Sequence, residues 1–357
     1  MTTVPKHPCA GTLARIALAA AVIAACTRPQ PVAAEPAVSA EKIARAIDKA
    51  RGWLLKEQKR DGSWECVMRT DETRVGATSL AVLALVNAGV PASDPAMVRS
   101  LGWLRRQEPK ETYSVALQTM VFAMLSPDAD RPILARNVEW LEKAQVSQGR
   151  AAGSWSYGID RGGGDNSNSQ FALLGLHEAA RVGIPVKNVV WTRAQQYWVS
   201  CANSDGSWGY TAGNSGGTGS MTCAGIASIW ITTEHLGRPG AQAQGDTVSC
   251  CGGGGTPREL ERGLEWLAKR FSVNENPSSG QTWFYYYLYG LERVGRFTAR
   301  RFIGDHDWYR EGAAMFVGVQ DGLTGAFKGG RIEDPTVATS FALLFLRSEE
   351  HTSELQS

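Results

Sequence analysis

The chain has 357 residues, with 37 basic and 35 acidic side chains and a formal net charge of +2. That balance argues against a dedicated nucleic-acid binder, which carries a basic excess, and 43% hydrophobic content with 20% charged residues argues against wholesale disorder. No apolar run reaches the roughly 18 residues a spanning helix needs, and 39 glycines without a Gly-X-Y period exclude collagen.

The N-terminus reads as an export signal. Lys6 and Arg15 flank its start, and Ile16 to Ala25 is a short apolar run. Two processing sites compete. Ile23-Ala24-Ala25-Cys26 has the form of a bacterial lipobox, which would lipidate Cys26. Val32-Ala33-Ala34 is a small-residue cleavage site that would leave Glu35 first. Residues 1–34 are therefore assigned to export, and the product to the periplasm or to a membrane-anchored lipoprotein. At the other end, residues 347–357 read RSEEHTSELQS, as a translated sequencing adapter does, so the native fold is read over residues 35–346. The cysteines at 9, 26, 66, 201, 223, 250 and 251 fit no zinc spacing, and their pairing stays open.

From residue 41 two kinds of helix alternate. The first is amphipathic: Ile43, Ile47, Ala50 and Leu54 share one face of 41–59, and similar patterns cover 95–108, 131–146, 187–202, 257–271 and 305–320. The second is apolar on nearly every side, as in the uncharged run Val75 to Val86. It covers 74–88, 112–125, 167–182, 219–236, 281–294 and 335–346. Gly89, Gly183, Gly237 and Gly295 are placed to stop helices in a left-handed conformation. Ser167 with Gln170 forms a capping-box pattern, and Asp334-Pro335 an N-cap followed by proline. Six such pairs predict an all-α closed double ring, an (α/α)6 toroid with apolar helices inside.

The links between outer and inner helices carry an internal repeat. One copy has Trp53-Leu54, Gln58 and Asp61-Gly62-Ser63-Trp64. Another has Trp140-Leu141, Gln145 and Gly153-Ser154-Trp155. A third has Tyr197-Trp198 and Asp205-Gly206-Ser207-Trp208. A degenerate copy has Phe316, Gln320, Asp321-Gly322 and Phe327. The helices at 95–108 and 257–271 keep only Trp103-Leu104 and Trp266-Leu267. The glutamine is expected to hydrogen-bond backbone groups at helix ends, the glycine to make the turn, and the tryptophan to stack over the amide. The repeat accounts for much of the count of 12 tryptophans.

These residues resemble the glutamine–tryptophan repeats of the squalene–hopene cyclase and protein prenyltransferase superfamily. The segments 283–295 and 306–313 resemble an exported bacterial branch of prenyltransferase/squalene-oxidase repeat proteins. The resemblance spans residues 41 to 346 and implies the toroid fold. For activity it implies an Asp-rich acid motif or a zinc site at inner-helix starts. D-x-D-D is absent; the nearest match is Glu333-Asp334 at the last inner helix, a carboxyl pair or a plain cap. Of the zinc ligands only Cys223 has a counterpart, with Met221 where an Asp is wanted, so no metal and no cofactor are expected.

Asp71, Glu72, Glu111 and Asp165 fall at inner-helix starts and would share one acidic rim, as acceptors or as helix caps. The Asp305-His306-Asp307 trio opens an outer helix. Trp283, Phe284, Tyr285, Tyr286, Tyr287 and Tyr289 crowd one inner helix. With Trp230, they are expected to line a central cavity suited to polyisoprenoids or sugars. Three functions follow: a terpenoid cyclase/prenyltransferase-like enzyme on a polyprenoid, a non-catalytic binding or scaffold module, or a polysaccharide-active enzyme pairing Asp165 with Glu333 or Asp334. The partner is a small apolar or glycan ligand, not nucleic acid, and membrane contact comes only through a lipid on Cys26.

Overall fold

The computed structural model describes residues 38–66, 70–159, 161–237, 257–330 and 332–348, with the backbone of 242–244 and 247–249. Burial divides the helices into two classes. α1 (Ala40–Glu57) buries a single stripe, Ile43, Ala46, Ile47, Ala50 and Leu54, and leaves its charges in solvent. α2 (Asp71–Asn87) buries every residue from Val75 to Leu85. The same alternation continues through outer helices α3 (Pro95–Arg105), α5 (Arg131–Ala144), α7 (Asn188–Ser200), α9 (Arg258–Lys269) and α11 (Trp308–Val319). Their inner partners are α4 (Thr112–Leu125), α6 (Asn166–Arg181), α8 (Gly219–Leu236), α10 (Phe284–Phe297) and α12 (Pro335–Leu346). Each inner helix packs on the next, and α12 returns to α2, so the inner ring is closed. Two short antiparallel hairpins complete the described elements. β1 (Gln242–Gln244) pairs with β2 (Thr247–Ser249), and β3 (Phe302–Ile303) with β4 (His306–Asp307), in the register Phe302 opposite Asp307.

The repeat forms the joints between hairpins. Gln58 Nε2 donates to the carbonyl of Ala96 at 2.8 Å, Gln145 Nε2 to that of Val190 at 3.0 Å, and Gln320 Nε2 to that of Ala46 at 2.8 Å. Each bond reaches the next outer helix, and the Gln320 bond joins α11 to α1, closing the outer ring. The turn glycines touch that neighbour too. A Cβ on Gly62, Gly153 or Gly206 would lie 2.6, 2.1 or 2.5 Å from the carbonyl oxygen of Arg99, Arg193 or Arg262, and all three have φ above +90°.

In the degenerate copy this position belongs to Gly325, not Gly322. Gly325 has φ +83° and a Cβ there would lie 2.7 Å from the Lys49 carbonyl oxygen, whereas Gly322 faces open space. The turn is one residue longer than in the first copy, and the glycine that counts lies two residues before Phe327, as Gly62 does before Trp64.

The tryptophans are bonded differently from the expected stack. The indole N–H of Trp64 donates to the Leu54 carbonyl at 2.8 Å, that of Trp155 to Leu141 at 2.7 Å, and that of Trp208 to Trp198 at 2.9 Å. The indole thus serves a last-turn carbonyl of the outer helix. Phe327 has no such donor, and there the Gln320 backbone N–H bonds the Phe316 carbonyl itself.

The backbone N–H of each repeat aromatic is held by an inner-helix hydroxyl, from Thr78, Ser169, Thr222 or Thr339. In the α3–α4 hairpin, one of the two that lack the repeat, Gln118 of α4 donates to the Leu104 carbonyl instead.

Several boundaries differ from the sequence pattern. α2 begins at Asp71 because Thr70 and Thr73 close a capping box. α6 is capped by Asp165, which accepts the Asn168 N–H, and the Ser167 hydroxyl donates to Asp165. Gly89 and Gly183 are left-handed as expected, but Gly237 has φ −89°. Gly295 lies inside α10, where a Cβ would collide with Trp308 at 2.3 Å, so it is a close-packing glycine. The segment expected to start a helix at 305 is hairpin until Trp308.

Candidate functional site

The starts of α4, α6 and α8 share one end of the ring, because the first residue of each bonds to the loop that leads into the next inner helix. The Thr112 N–H donates to the Tyr157 carbonyl at 2.9 Å, the Asn166 N–H to the Tyr210 carbonyl at 2.9 Å, and the Gly219 N–H to the Pro277 carbonyl at 2.9 Å. This end forms a mouth, and the candidate carboxylates sit in it.

Each of them is engaged by a helix start. Asp165 accepts from the Asn168 N–H at 2.9 Å, Asn168 Nδ2 at 2.8 Å and the Ser167 hydroxyl at 2.7 Å. Asp334 caps its own helix through the Thr336 N–H at 2.7 Å. Glu333 caps a different one: it accepts the backbone N–H groups of Tyr285 at 3.1 Å, Tyr286 at 2.8 Å and Gly330 at 2.9 Å. α10 needs this outside acceptor because its own N-cap, Trp283, is left-handed at φ 53° and offers no side-chain bond. Burial pushes the Glu333 carboxyl above the ordinary range, against the pull of these N–H donors.

Glu72 acts in the same way toward α4, accepting from the N–H groups of Lys110 and Glu111. Glu111 in turn pairs with Arg161 at 3.3 Å, and Asp71 is exposed. In the trio at 305–307, Asp307 caps α11 at Arg310, His306 pairs with Glu311 at 3.0 Å, and Asp305 is exposed.

The aromatics divide by height and direction. Tyr286 and Tyr289, one turn apart on α10, face the axis. Tyr286 and Tyr289 lie 6.0 and 6.3 Å from Phe171 of α6, ring centre to ring centre, and 6.2 and 5.0 Å from Phe341 of α12. Tyr113 of α4 joins Phe171 at 5.0 Å. These helices are not all neighbours in the ring, so the contacts cross its centre. The side chains expected to line an open cavity instead pack against one another along the axis.

Tyr285 turns to the outer layer, against Phe316 and Phe327, with Phe284 beside it. The Tyr287 hydroxyl donates to the Ser272 carbonyl. Trp283 is 46% exposed on the rim. Trp230 lies near the far end of α8, stacked on Phe297 at 4.8 Å and edge-on to His177.

Sequence reasoning passed over the residues that form the mouth's lining. Tyr157 and Tyr210 are 43% and 44% exposed. Their phenols, with those of Tyr113 and Tyr286, gather around Asp165 and Ser167. Burial raises the pKa of Tyr113, Tyr210 and Tyr286, and the Asp165 charge adds to it, so these phenols remain neutral donors. The Tyr286 hydroxyl donates to Gln170 Oε1. The sequence signal was slight: two tyrosines, each two residues after a repeat tryptophan. Cys223 is fully buried beside Gly290, and burial raises its thiol pKa. Residues 1–34, with Cys26, and Cys250-Cys251 lie outside the described residues.

No family model and no curated protein matches the chain. Solved structures do. The type II terpene cyclase MstE from Scytonema, complexed with geranylgeranyl dihydroxybenzoate, matches with TM-score 0.58 and 11% identity over 87% of this chain and 98% of that one. The fold is an α/α toroid. An α-1,6-mannanase of glycoside hydrolase family 76 from Salegentibacter sp. matches this toroid with TM-score 0.61 and 9% identity over 86% and 98%. A possible member of glycoside hydrolase family 105 from Salmonella enterica matches with TM-score 0.60 and 11% identity over 91% and 98%. At these identities the likeness establishes the toroid and leaves its chemistry to the site.

Proposed function

We propose that this protein is a terpenoid cyclase-like α/α toroid acting as a binding module, taking its ligand at the mouth where the inner helices begin. One observation carries this reading: Asp165, Glu333 and Asp334 each hold the N–H groups of a helix start. An acid that protonates an alkene, or a pair that cleaves a glycosidic bond, needs carboxyl oxygens directed at substrate. Here they are directed at helix-start N–H groups and, for Asp165, at the side chains of Ser167 and Asn168. The test is incubation with a geranylgeranyl-bearing substrate and with α-mannan, followed by mass spectrometry of the products. The expected result is no turnover. Turnover that Asp165→Asn or Glu333→Gln abolishes, with the fold intact, would overturn the reading.

A second reading is a cyclase acting on a polyprenoid, favoured by the axial rings of Phe171, Tyr286, Tyr289 and Phe341. Aromatic faces stabilise cationic intermediates. It requires that column to open, and product formation from a geranylgeranyl substrate, lost in Tyr289→Ala, would support it. On the sequence grounds of the 16–25 apolar run and Cys26, we also propose that the protein is exported and lipid-anchored. Labelling with a fatty-acid analogue, lost in Cys26→Ser, tests this.

A further inference from the structure

Two buried amide ends at the head of α6 have no hydrogen-bond partner: Gln170 Nε2 and Asn168 Oδ1, on side chains that are 0% exposed. A buried donor left unpaired costs about 1–3 kcal/mol, so each such atom asks for an explanation. For Gln170 the surroundings supply one. Helical spacing puts Ser167, Gln170, Phe171 and Leu174 on one face of α6. Phe171 fixes that face toward the axis through its contacts with Tyr113, Tyr286 and Tyr289. Gln170 therefore lies one turn below Ser167, under the mouth, with its other amide end held by the Tyr286 hydroxyl.

The groups around this point share a chemistry. The phenols of Tyr113, Tyr157, Tyr210 and Tyr286 can both donate and accept. The one carboxylate among them, Asp165, already receives three donors. Of the nearby cations, Arg161 is paired with Glu111 and Arg150 lies against Gly213, beyond Tyr210. The Asp165 carboxylate is thus already met by donors, and the phenols supply the free hydrogen-bonding capacity. Two of the rings, Tyr157 and Tyr210, are nearly half exposed while their backbones are pinned to the starts of α4 and α6. Their backbones are fixed, while the rings are free to turn and to offer a face for stacking.

We infer that the mouth binds a neutral oligosaccharide, with sugar faces stacked on the Tyr157 and Tyr210 rings once these have turned about their fixed backbones to admit a sugar hydroxyl to Gln170 Nε2. A polyprenoid would leave both the amide and the phenols without partners. The inference rests on the mouth being the binding site, as proposed above.

The experiment is calorimetric titration of the full chain with mannotriose, cellotriose and maltotriose, and separately with geranylgeraniol. A trisaccharide is expected to bind, with Kd raised about tenfold in Tyr210→Ala and in Gln170→Leu, the effect of losing one good contact. If Gln170→Leu does not fold, Tyr157→Phe and Tyr210→Phe, which keep the rings on exposed positions, serve in its place. Trisaccharide binding indifferent to all of these variants would overturn the assignment. Binding of geranylgeraniol alone, weakened by Tyr210→Ala, would overturn the saccharide and leave the mouth as the binding site. If none of the four compounds binds, both readings fall.

Discussion

The Glu333 carboxylate accepts the backbone N–H of Tyr286 at 2.8 Å, so a residue at the threshold of α12 completes the start of α10. Inner helices are thereby coupled by their caps as well as by their apolar sides. Both carboxylate oxygens are used, since the other accepts from Tyr285 and Gly330.

Glu333→Gln turns one of those acceptors into an NH2 group facing N–H donors. The expected cost is about 2 kcal/mol of folding stability, measured by denaturant unfolding. An unchanged midpoint would remove the capping role and return Glu333 to the list of candidate acids.

Gly325 and Gly322 separate cleanly. Gly325→Ala must hold φ +83° and push a methyl into the Lys49 carbonyl; the expected loss is about 3 kcal/mol. Gly322→Ala has free space and is expected to be neutral within about 0.5 kcal/mol. Equal thermal shifts for the two would show that Gly325 does not stand where Gly62, Gly153 and Gly206 stand.

Trp155→Phe keeps most of the buried ring and removes only the indole donor to Leu141. It is expected to cost about 1 kcal/mol. Ser169→Ala strands the Trp155 backbone N–H and is expected to cost about 1–3 kcal/mol. Hydrogen exchange at the end of α5 should rise in the first variant, and a silent amide pattern there would count against the indole's role.

Asp130 and Arg105 form a two-pronged pair, both contacts at 2.8 Å. Burial alone would raise the Asp130 pKa, but the Arg105 fork and the Ser126 hydroxyl outweigh it, and the net shift is downward. A carboxyl with a lowered folded pKa stabilises above its ordinary value of 3.8 and loses that contribution as pH falls through the folded value. Asp130→Asn should therefore lower Tm at pH 7 and converge with the wild type as the pH falls through the lowered folded value. A constant gap across that range would assign the effect to packing.

The double ring was legible in the sequence because its signals are periodic and repeated. Burial on all sides of α2 and on one stripe of α1 is written in where the charges fall. The joint glutamines were legible for the same reason. What escaped depends on partners distant in the chain. Nothing near Trp283 shows that Glu333, fifty residues on, will cap its helix. The identity of Gly325 as the turn glycine depends on the Lys49 carbonyl beside it. The axial packing of Tyr286 and Tyr289 depends on Phe171 and Phe341 arriving from other helices, so a cluster of aromatics was read as a lining when it is a column.

The bond from Gln320 to Ala46 and the packing of α12 on α2 join the two ends of the fold. On the ribosome this has a cost in time. One apolar flank of α2 must wait until about 250 further residues have been made, roughly 10–50 s at ordinary elongation rates, before α12 can cover it. Through that interval the growing chain is an open arc with a sticky leading edge. A holding chaperone, or retention in an unfolded form until synthesis is complete, would protect it from aggregation.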